Sequence, residues 1–289
     1  MFKFLAAAAA ACALAACATP AADAPTPPPA ARQDALAAII ASDLRSDAHR
    51  ARDRYRRPAE SLAFWGLRPG MTIVEIEPGS ETWWTEILAP YAAQTGGRYV
   101  AGYVDMANPT LSDAARAARA GLEAKLASDP RFGGGAVVNF GLTSGLAVPD
   151  ASADFILVAR AFHNWARREG ATDRFMAEFA RALKPGGVLA VEQHRAAEGA
   201  DVAASAPTGY VPESYVIAAA ERAGLQLAAR SDLNANPLDD RDHPFGVWTL
   251  PPIRRTAPAG QPADPTFDRA PYDAIGESDR MTLRFVKPG

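Results

Sequence analysis

The sequence predicts an α/β fold: a doubly wound, mostly parallel sheet of seven strands, with helices on both faces and an antiparallel last strand. Three observations carry this expectation. Apolar runs of five or six residues recur without polar alternation, as strands buried on both faces require. Stretches with apolar residues at helical spacing lie between most of them. After residue 224 the alternation stops, and two strand-like runs, 225–229 and 281–286, have no helix-length apolar pattern between them.

The elements follow in order. Leu36, Ile39, Ile40 and Leu44 recur at helical spacing. A second helix starts near Pro58, a residue suited to a first turn, and carries Leu62, Phe64 and Trp65 to Gly66. The first strand is 71–76, with a helical stretch at 84–91 behind it. Residues 99–104 make the second strand, and 114–127 a helix with Leu122 and Leu126 on one face. The third and fourth strands are 136–140 and 154–159. Thr172 is expected to cap a helix bearing Phe175, Met176, Phe179 and Leu183, stopped by Lys184-Pro185-Gly186-Gly187 before a fifth strand at 188–192. A helix at 212–223, closed by Gly224, precedes the sixth strand, and residues 230–280, rich in Pro, Asp and Asn, read as an irregular insertion.

With 48% hydrophobic and 22% charged residues, the chain has the composition of an ordinary globular protein. A net charge of −3 gives no electrostatic ground for a nucleic-acid partner. Arg50, Arg52, Arg54, Arg56 and Arg57, interrupted by Asp53, read as a solvated or internally paired helical face.

The start of the chain differs from the rest. Lys3 is its only charge before Asp23, and the apolar run from Phe4 to Ala16 is too short to span a membrane, so it reads as an export signal. The run ends in Leu14-Ala15-Ala16-Cys17, which resembles the lipobox of bacterial lipoproteins, where the cysteine sulfur receives the lipid. The alternative is a generic alanine-rich signal cut at an Ala-x-Ala site, with Cys17 incidental. The expected organisation is a signal over 1–17, a Pro/Ala-rich tether over 18–32 and a single domain over 33–289. That domain would sit on the periplasmic side of the cell envelope, anchored to a membrane through Cys17. Cys12 would leave with the signal, so no thiol would remain for a disulfide, a nucleophile or a metal.

Ligands of doubly wound sheets bind beyond the carboxyl ends of the strands. That rule selects Glu75-Ile76-Glu77-Pro78-Gly79-Ser80-Glu81, Asp105, Arg160-Ala161-Phe162-His163-Asn164-Trp165 and Glu192-Gln193-His194-Arg195. His163 suits a general base near neutral pH, or a loop anchor that fixes Trp165. His194 suits a base, a metal ligand or an anchor beside Arg195. Trp83 and Trp84 would stack on a ligand or bury against the sheet. Asp239, Asp240, Asp242 and His243 are oxygen-rich, but they lack regular metal-loop spacing and read as a solvated turn rather than a metal site. The long irregular segment around them is expected to cover the strand ends and shape a substrate pocket. There is no Walker A loop, nucleophile elbow or dinucleotide glycine fingerprint.

Leu183-Lys184-Pro185-Gly186-Gly187 and Pro149-Asp150-Ala151-Ser152-Ala153-Asp154-Phe155 are similar to the turns before the fifth and fourth strands of class I S-adenosylmethionine (SAM) methyltransferases. Further segments resemble a group of exported predicted methyltransferases of largely unassigned substrate. They include Arg52-Asp53-Arg54-Tyr55-Arg56, His163-Asn164-Trp165, His194-Arg195-Ala196, Asn234-Ala235-Asn236-Pro237 and Ile275-Gly276-Glu277-Ser278-Asp279-Arg280-Met281. The resemblance implies a Rossmann-like class I methyltransferase fold, SAM as cofactor and a small or envelope-associated acceptor. It puts Glu75, Glu77, Gly79 and Asp105 at the cofactor, with Asp105 on the ribose, and leaves the proton to His163 or His194. Two departures stand out. Glu77 and Glu81 occupy positions where the family has glycine, and Leu142 falls where an acidic residue commonly meets the adenine. The alternative to an enzyme is an envelope lipoprotein that keeps the fold as a binding or scaffold module.

Overall fold

The computed structural model describes residues 29–289, with side chains from residue 35. The apolar leader, Cys17 and residues 18–28 lie outside the described residues. Residues 29–32, expected in the tether, open a helix, Pro29–Ile40. No described helix is long and apolar enough to cross a membrane.

The strands are β1 (Thr72–Ile76), β2 (Arg98–Val104), β3 (Ala136–Gly141), β4 (Gly145–Leu146), β5 (Ala153–Ala159), β6 (Leu183–His194), β7 (Gln226–Ser231) and β8 (Arg280–Val286). They form one sheet in the order β4-β3-β2-β1-β5-β6-β8-β7. β3, β2, β1, β5 and β6 are mutually parallel, and β8 inserts antiparallel between β6 and β7. Seven long strands with one reversed are what the sequence predicts, and β1 and β5 meet at the centre.

Alternate residues of the central strands feed opposite layers, because successive side chains of a strand point to opposite faces. Val74, Ile76, Ile156, Val158, Leu189 and Val191 pack with Phe175, Met176 and Phe179 of the helix Ala171–Ala182. Ile73, Phe155, Leu157, Val188 and Ala190 pack on the other side with Trp65, Trp83, Trp84, Ile87 and Leu88. Both faces are therefore buried, which is why the strands read as unbroken apolar runs.

Three local features differ from expectation. β4 is a two-residue strand reversing on β3, with Gly145 at φ 67° making the turn; it is too short to leave a pattern. β6 starts at Leu183, and the Lys184–Gly187 segment bulges out of it rather than ending the preceding helix as a free turn. Its register passes from Ala153↔Leu183 to Phe155↔Val188. Gly170, in the left-handed region, occupies the cap position assigned to Thr172. Thr172 is buried instead, and its hydroxyl accepts a hydrogen bond from Tyr215 at 3.1 Å.

Candidate functional site

A cleft of about 800 Å³ lies over the carboxyl ends of β1, β2, β3, β5 and β6. Its walls come from the loop after β1, the residues following β2 and β5, and the insertion. Val247, Trp248, Pro251, Pro252 and Ile253 line it, so the irregular segment does shape the pocket.

The β1 loop turns through left-handed residues: Glu77 at φ 48°, Gly79 at φ 72° and Thr82 at φ 54°. A Cβ on Gly79 would meet nothing within 4 Å, so the backbone conformation, not crowding, favours glycine there. Glu77 lines the cleft, and desolvation pushes its pKa up to about 7, partly offset by the Trp165 indole and the Arg168 charge. The Trp165 N–H itself falls outside hydrogen-bonding geometry. Glu81, also on the cleft, accepts from Arg52 Nη1 at 2.6 Å.

Glu75 does not line the cleft. Its carboxyl accepts from Tyr99 at 2.6 Å and Thr85 at 2.8 Å, and desolvation pushes its pKa up to about 7. It braces β1 against β2 and the helix Thr85–Gln94, and the ligand contact that the resemblance implies for it is not what its position offers.

Asp105 sits just past β2 on the cleft wall. Burial opposes its ionisation, but hydrogen bonds from the Ser144 hydroxyl and from backbone N–H groups of Ser144, Ala107 and Thr143 hold its pKa below the usual range. Gly141 makes this arrangement possible, since a Cβ there would lie 2.6 Å from Asp105 Cβ. Val104 and Phe140 are register partners, so Met106 and Leu142 follow on adjacent strand ends, and both are exposed apolar residues.

The two histidines come together, with ring centroids 6.0 Å apart, and Trp248 lies 5.7 Å from His163. Desolvation, then the Arg167 charge, lowers the His163 pKa to about 4. Desolvation, then His163 and Arg160, lowers that of His194 well below the ordinary imidazole value. Both rings are neutral at pH 7. Gln193 is oriented by its bonds to the Gly209 carbonyl (2.9 Å) and from the Phe162 N–H (3.1 Å), which leaves its amide N–H facing His163 Nδ1 at 3.5 Å. The same amide nitrogen faces His194 O at 3.4 Å, and where its second N–H goes to His163 Nδ1 the His163 proton is on Nε2. His194 Nδ1 lies 2.5 Å from Ser278 Oγ.

Trp83 and Trp84 are core residues, as the burial reading has it: their indole N–H groups donate to His49 O and Glu192 Oε2. The arginine cluster is internally paired in part. Arg52 and Arg56 are buried, and both bind Glu277. The Asp239–His243 turn is not solvated as a whole. His243 Nε2 and Asp239 Oδ1 are buried 2.8 Å apart, and Asp239 also accepts from Tyr210, Arg241 and Asp279. Asp239, Asp240 and His243 cluster closely enough to hold an ion, yet Asp239 is already satisfied by protein donors.

Arg160, at a strand end that the sequence selects, also lines the cleft, and so do Arg56, Glu277 and Ser278, which were not among the positions expected from sequence. The available signal for Glu277 and Ser278 was the Glu277-Ser278-Asp279-Arg280 segment ahead of β8.

These features define a class: an α/β protein with a ligand cleft at the strand ends and an acidic residue past β2. A family model described as a methyltransferase domain matches residues 85–191. No curated protein matches the sequence. Among solved structures, the [4+2]-cyclase SpnF superposes with a TM-score of 0.56 at 15% identity, covering 86% of this chain and 86% of that one. A protein described as a sarcosine dimethylglycine methyltransferase from Galdieria sulphuraria gives 0.52 at 14% identity, covering 81% and 85%. At such identities it is the fold that is shared. The fold is that of the class I SAM-dependent methyltransferase superfamily, and the matched domain supports SAM as the cofactor.

Proposed function

We propose that the chain is a SAM-dependent methyltransferase for a small or envelope-associated acceptor. The observation that carries this reading is one cleft joining the Gly79 loop, an ionised Asp105 and two neutral imidazoles. The residues fit the cofactor. Asp105 would take the ribose hydroxyls, and Leu142 offers apolar surface on the cleft wall for the adenine. Glu77, a carboxyl poised near pH 7, suits a sulfonium or ammonium charge. Bound SAM supplies an electrophilic methyl group. The chain aligns the acceptor and receives one proton. In the tautomer that donates Nδ1–H to Ser278, His194 would present the Nε2 lone pair for that proton. His163 would present its Nε2–H and orient the acceptor.

Calorimetric titration with SAM and S-adenosylhomocysteine tests the reading. Binding at micromolar concentration is expected, and the absence of heat from folded protein at high micromolar ligand would sink it.

Glu77 and Glu81, in place of two loop glycines, favour one other reading: a non-catalytic envelope protein that keeps the fold as a scaffold. Gly79→Arg and Asp105→Ala separate the two. Full cellular function in both variants supports the scaffold, and loss without unfolding supports the enzyme. The apolar run from Phe4 to Ala16, read as an export signal, and the Leu14–Cys17 sequence support anchoring in the envelope through a lipid on Cys17. Cys17→Ser should then move the protein from the membrane to the soluble fraction, and unchanged fractionation counts against the anchor.

A further inference from the structure

Arg160 directly follows β5 and lines the cleft, with φ 58° and its backbone N–H donating to Glu192 O at 2.7 Å. Its guanidinium makes no hydrogen bond or ion pair to any described residue, and its Nε is buried without an acceptor. Arg56 lines the same cleft. Its Nε donates to Glu277 at 2.9 Å, while Nη1 and Nη2 are buried with no acceptor over the Trp83 ring.

The neighbouring carboxylates are already engaged. Glu277 receives Arg52, Arg56 and Arg280; Glu192 receives Trp84 and pairs with Arg280; Glu81 receives Arg52. Within this cluster four guanidinium groups meet three carboxylates, and Arg160, drawn electrostatically to Glu192 and Glu277, is the one on the cleft that none of them hydrogen-bonds; Glu77 and Asp105 line the same cleft further along. Arginine does not escape burial by losing its proton, and a buried charge without a hydrogen-bonding partner is costly. Its planar fork matches a carboxylate or phosphate through two parallel hydrogen bonds.

We propose that Arg160, with Arg56, is a receptor for an oxyanion, and that the acceptor molecule carries a carboxylate or phosphate bound there. Placement assigns the anion to the acceptor: Arg160 follows β5, its charge acts on His163 and His194, and it lies two strands from the end of β2, which Asp105 follows. The word acceptor rests on the methyl-transfer reading; the anion site itself does not.

The test titrates inorganic phosphate into the full-length chain at constant ionic strength, follows thermal unfolding, and measures S-adenosylhomocysteine affinity on the same proteins. Phosphate should raise the wild-type melting temperature saturably. Arg160→Gln should weaken that phosphate effect by about tenfold while S-adenosylhomocysteine affinity stays within about threefold. A phosphate shift equal in both proteins, or absent from both, overturns the anion site. A tenfold loss of S-adenosylhomocysteine affinity in Arg160→Gln gives the guanidinium to the cofactor's own carboxylate and overturns the assignment to the acceptor. Should Arg160→Gln fail to fold, Arg160→Lys keeps the charge without the fork. Intermediate phosphate affinity supports the proposal, and wild-type affinity overturns it. If S-adenosylhomocysteine does not bind the wild type, the methyl-transfer reading and the acceptor assignment fall together, while the phosphate arm still judges the site.

Discussion

Ser144 holds Asp105 with both its groups: the backbone N–H donates to Oδ2 at 2.7 Å and the hydroxyl to Oδ1 at 2.6 Å. With Ala107 N–H also on Oδ1 at 3.1 Å, the carboxylate is fixed in direction and kept ionised, with limited acceptor capacity left for a ligand diol. Asp105→Asn preserves the shape but replaces one acceptor oxygen by a donor. We expect S-adenosylhomocysteine affinity to fall at least about tenfold, or about 1.4 kcal/mol, with the fold retained. Calorimetry with circular dichroism on the same sample checks it; unchanged affinity removes Asp105 from the cofactor site.

Gly79 separates conformation from space. An alanine methyl would enter open volume, so the cost of Gly79→Ala is the left-handed backbone alone. That is about 1–2 kcal/mol, a fall in melting temperature of roughly 2–8 °C for a domain this size. Gly79→Arg has the same backbone cost but also fills the cleft, so it should abolish ligand binding where Gly79→Ala weakens it. Equal binding by the two variants would place the ligand away from this loop.

The central sheet was legible in sequence because burial on both faces makes β1, β2, β5 and β6 unbroken apolar runs, and Asp105 and Gly79 were legible because strand ends locate ligands. On the arginine side, Arg160 was legible in the same way, but Arg56 and its partner were not. Arg56 meets Glu277 across 221 residues of sequence, and no local pattern encodes a pairing of that separation. Shorter separations, 10 and 24 residues, hid the fate of Glu75. Its neighbours in sequence suggest a cofactor residue, whereas Tyr99 and Thr85, from the next strand and helix, take up its carboxyl.

Glu277 is the carboxylate common to Arg52, Arg56 and Arg280, and although burial opposes its ionisation, the electrostatic pull of Arg280, Arg52 and Arg160 keeps its pKa low. Removing it leaves buried guanidinium groups without a partner. Glu277→Ala should therefore cost about 3–5 kcal/mol in urea unfolding. The exposed Asp173–Arg222 pair, at 2.6 Å, provides the contrast: Asp173→Ala should cost no more than about 1 kcal/mol, because water screens it. Similar costs for the two would mean that the buried network contributes no more than a surface ion pair.

Glu75 sets a pH signature that runs opposite to the usual acid lability. Its pKa is pushed up to about 7 from an ordinary 4.5, so between those values the folded chain holds a proton that the unfolded chain has lost. Stability from this group is full below pH 4.5, falls as pH rises towards 7, and is flat above, a total of about 3 kcal/mol by linkage. His163 acts in the other sense, since its pKa near 4 lies below the ordinary 6.5 and makes the fold gain stability as pH rises between them. The two slopes oppose each other in the wild type over that shared window. Glu75→Gln keeps an acceptor for Tyr99 and drops this titration, leaving Glu77, raised likewise, against the two lowered histidines. Urea unfolding from pH 5 to 8 should show Glu75→Gln gaining on the wild type as pH rises. A constant difference between the two proteins would show that Glu75 is ionised throughout, with Tyr99 and Thr85 sufficient to hold its charge in the core.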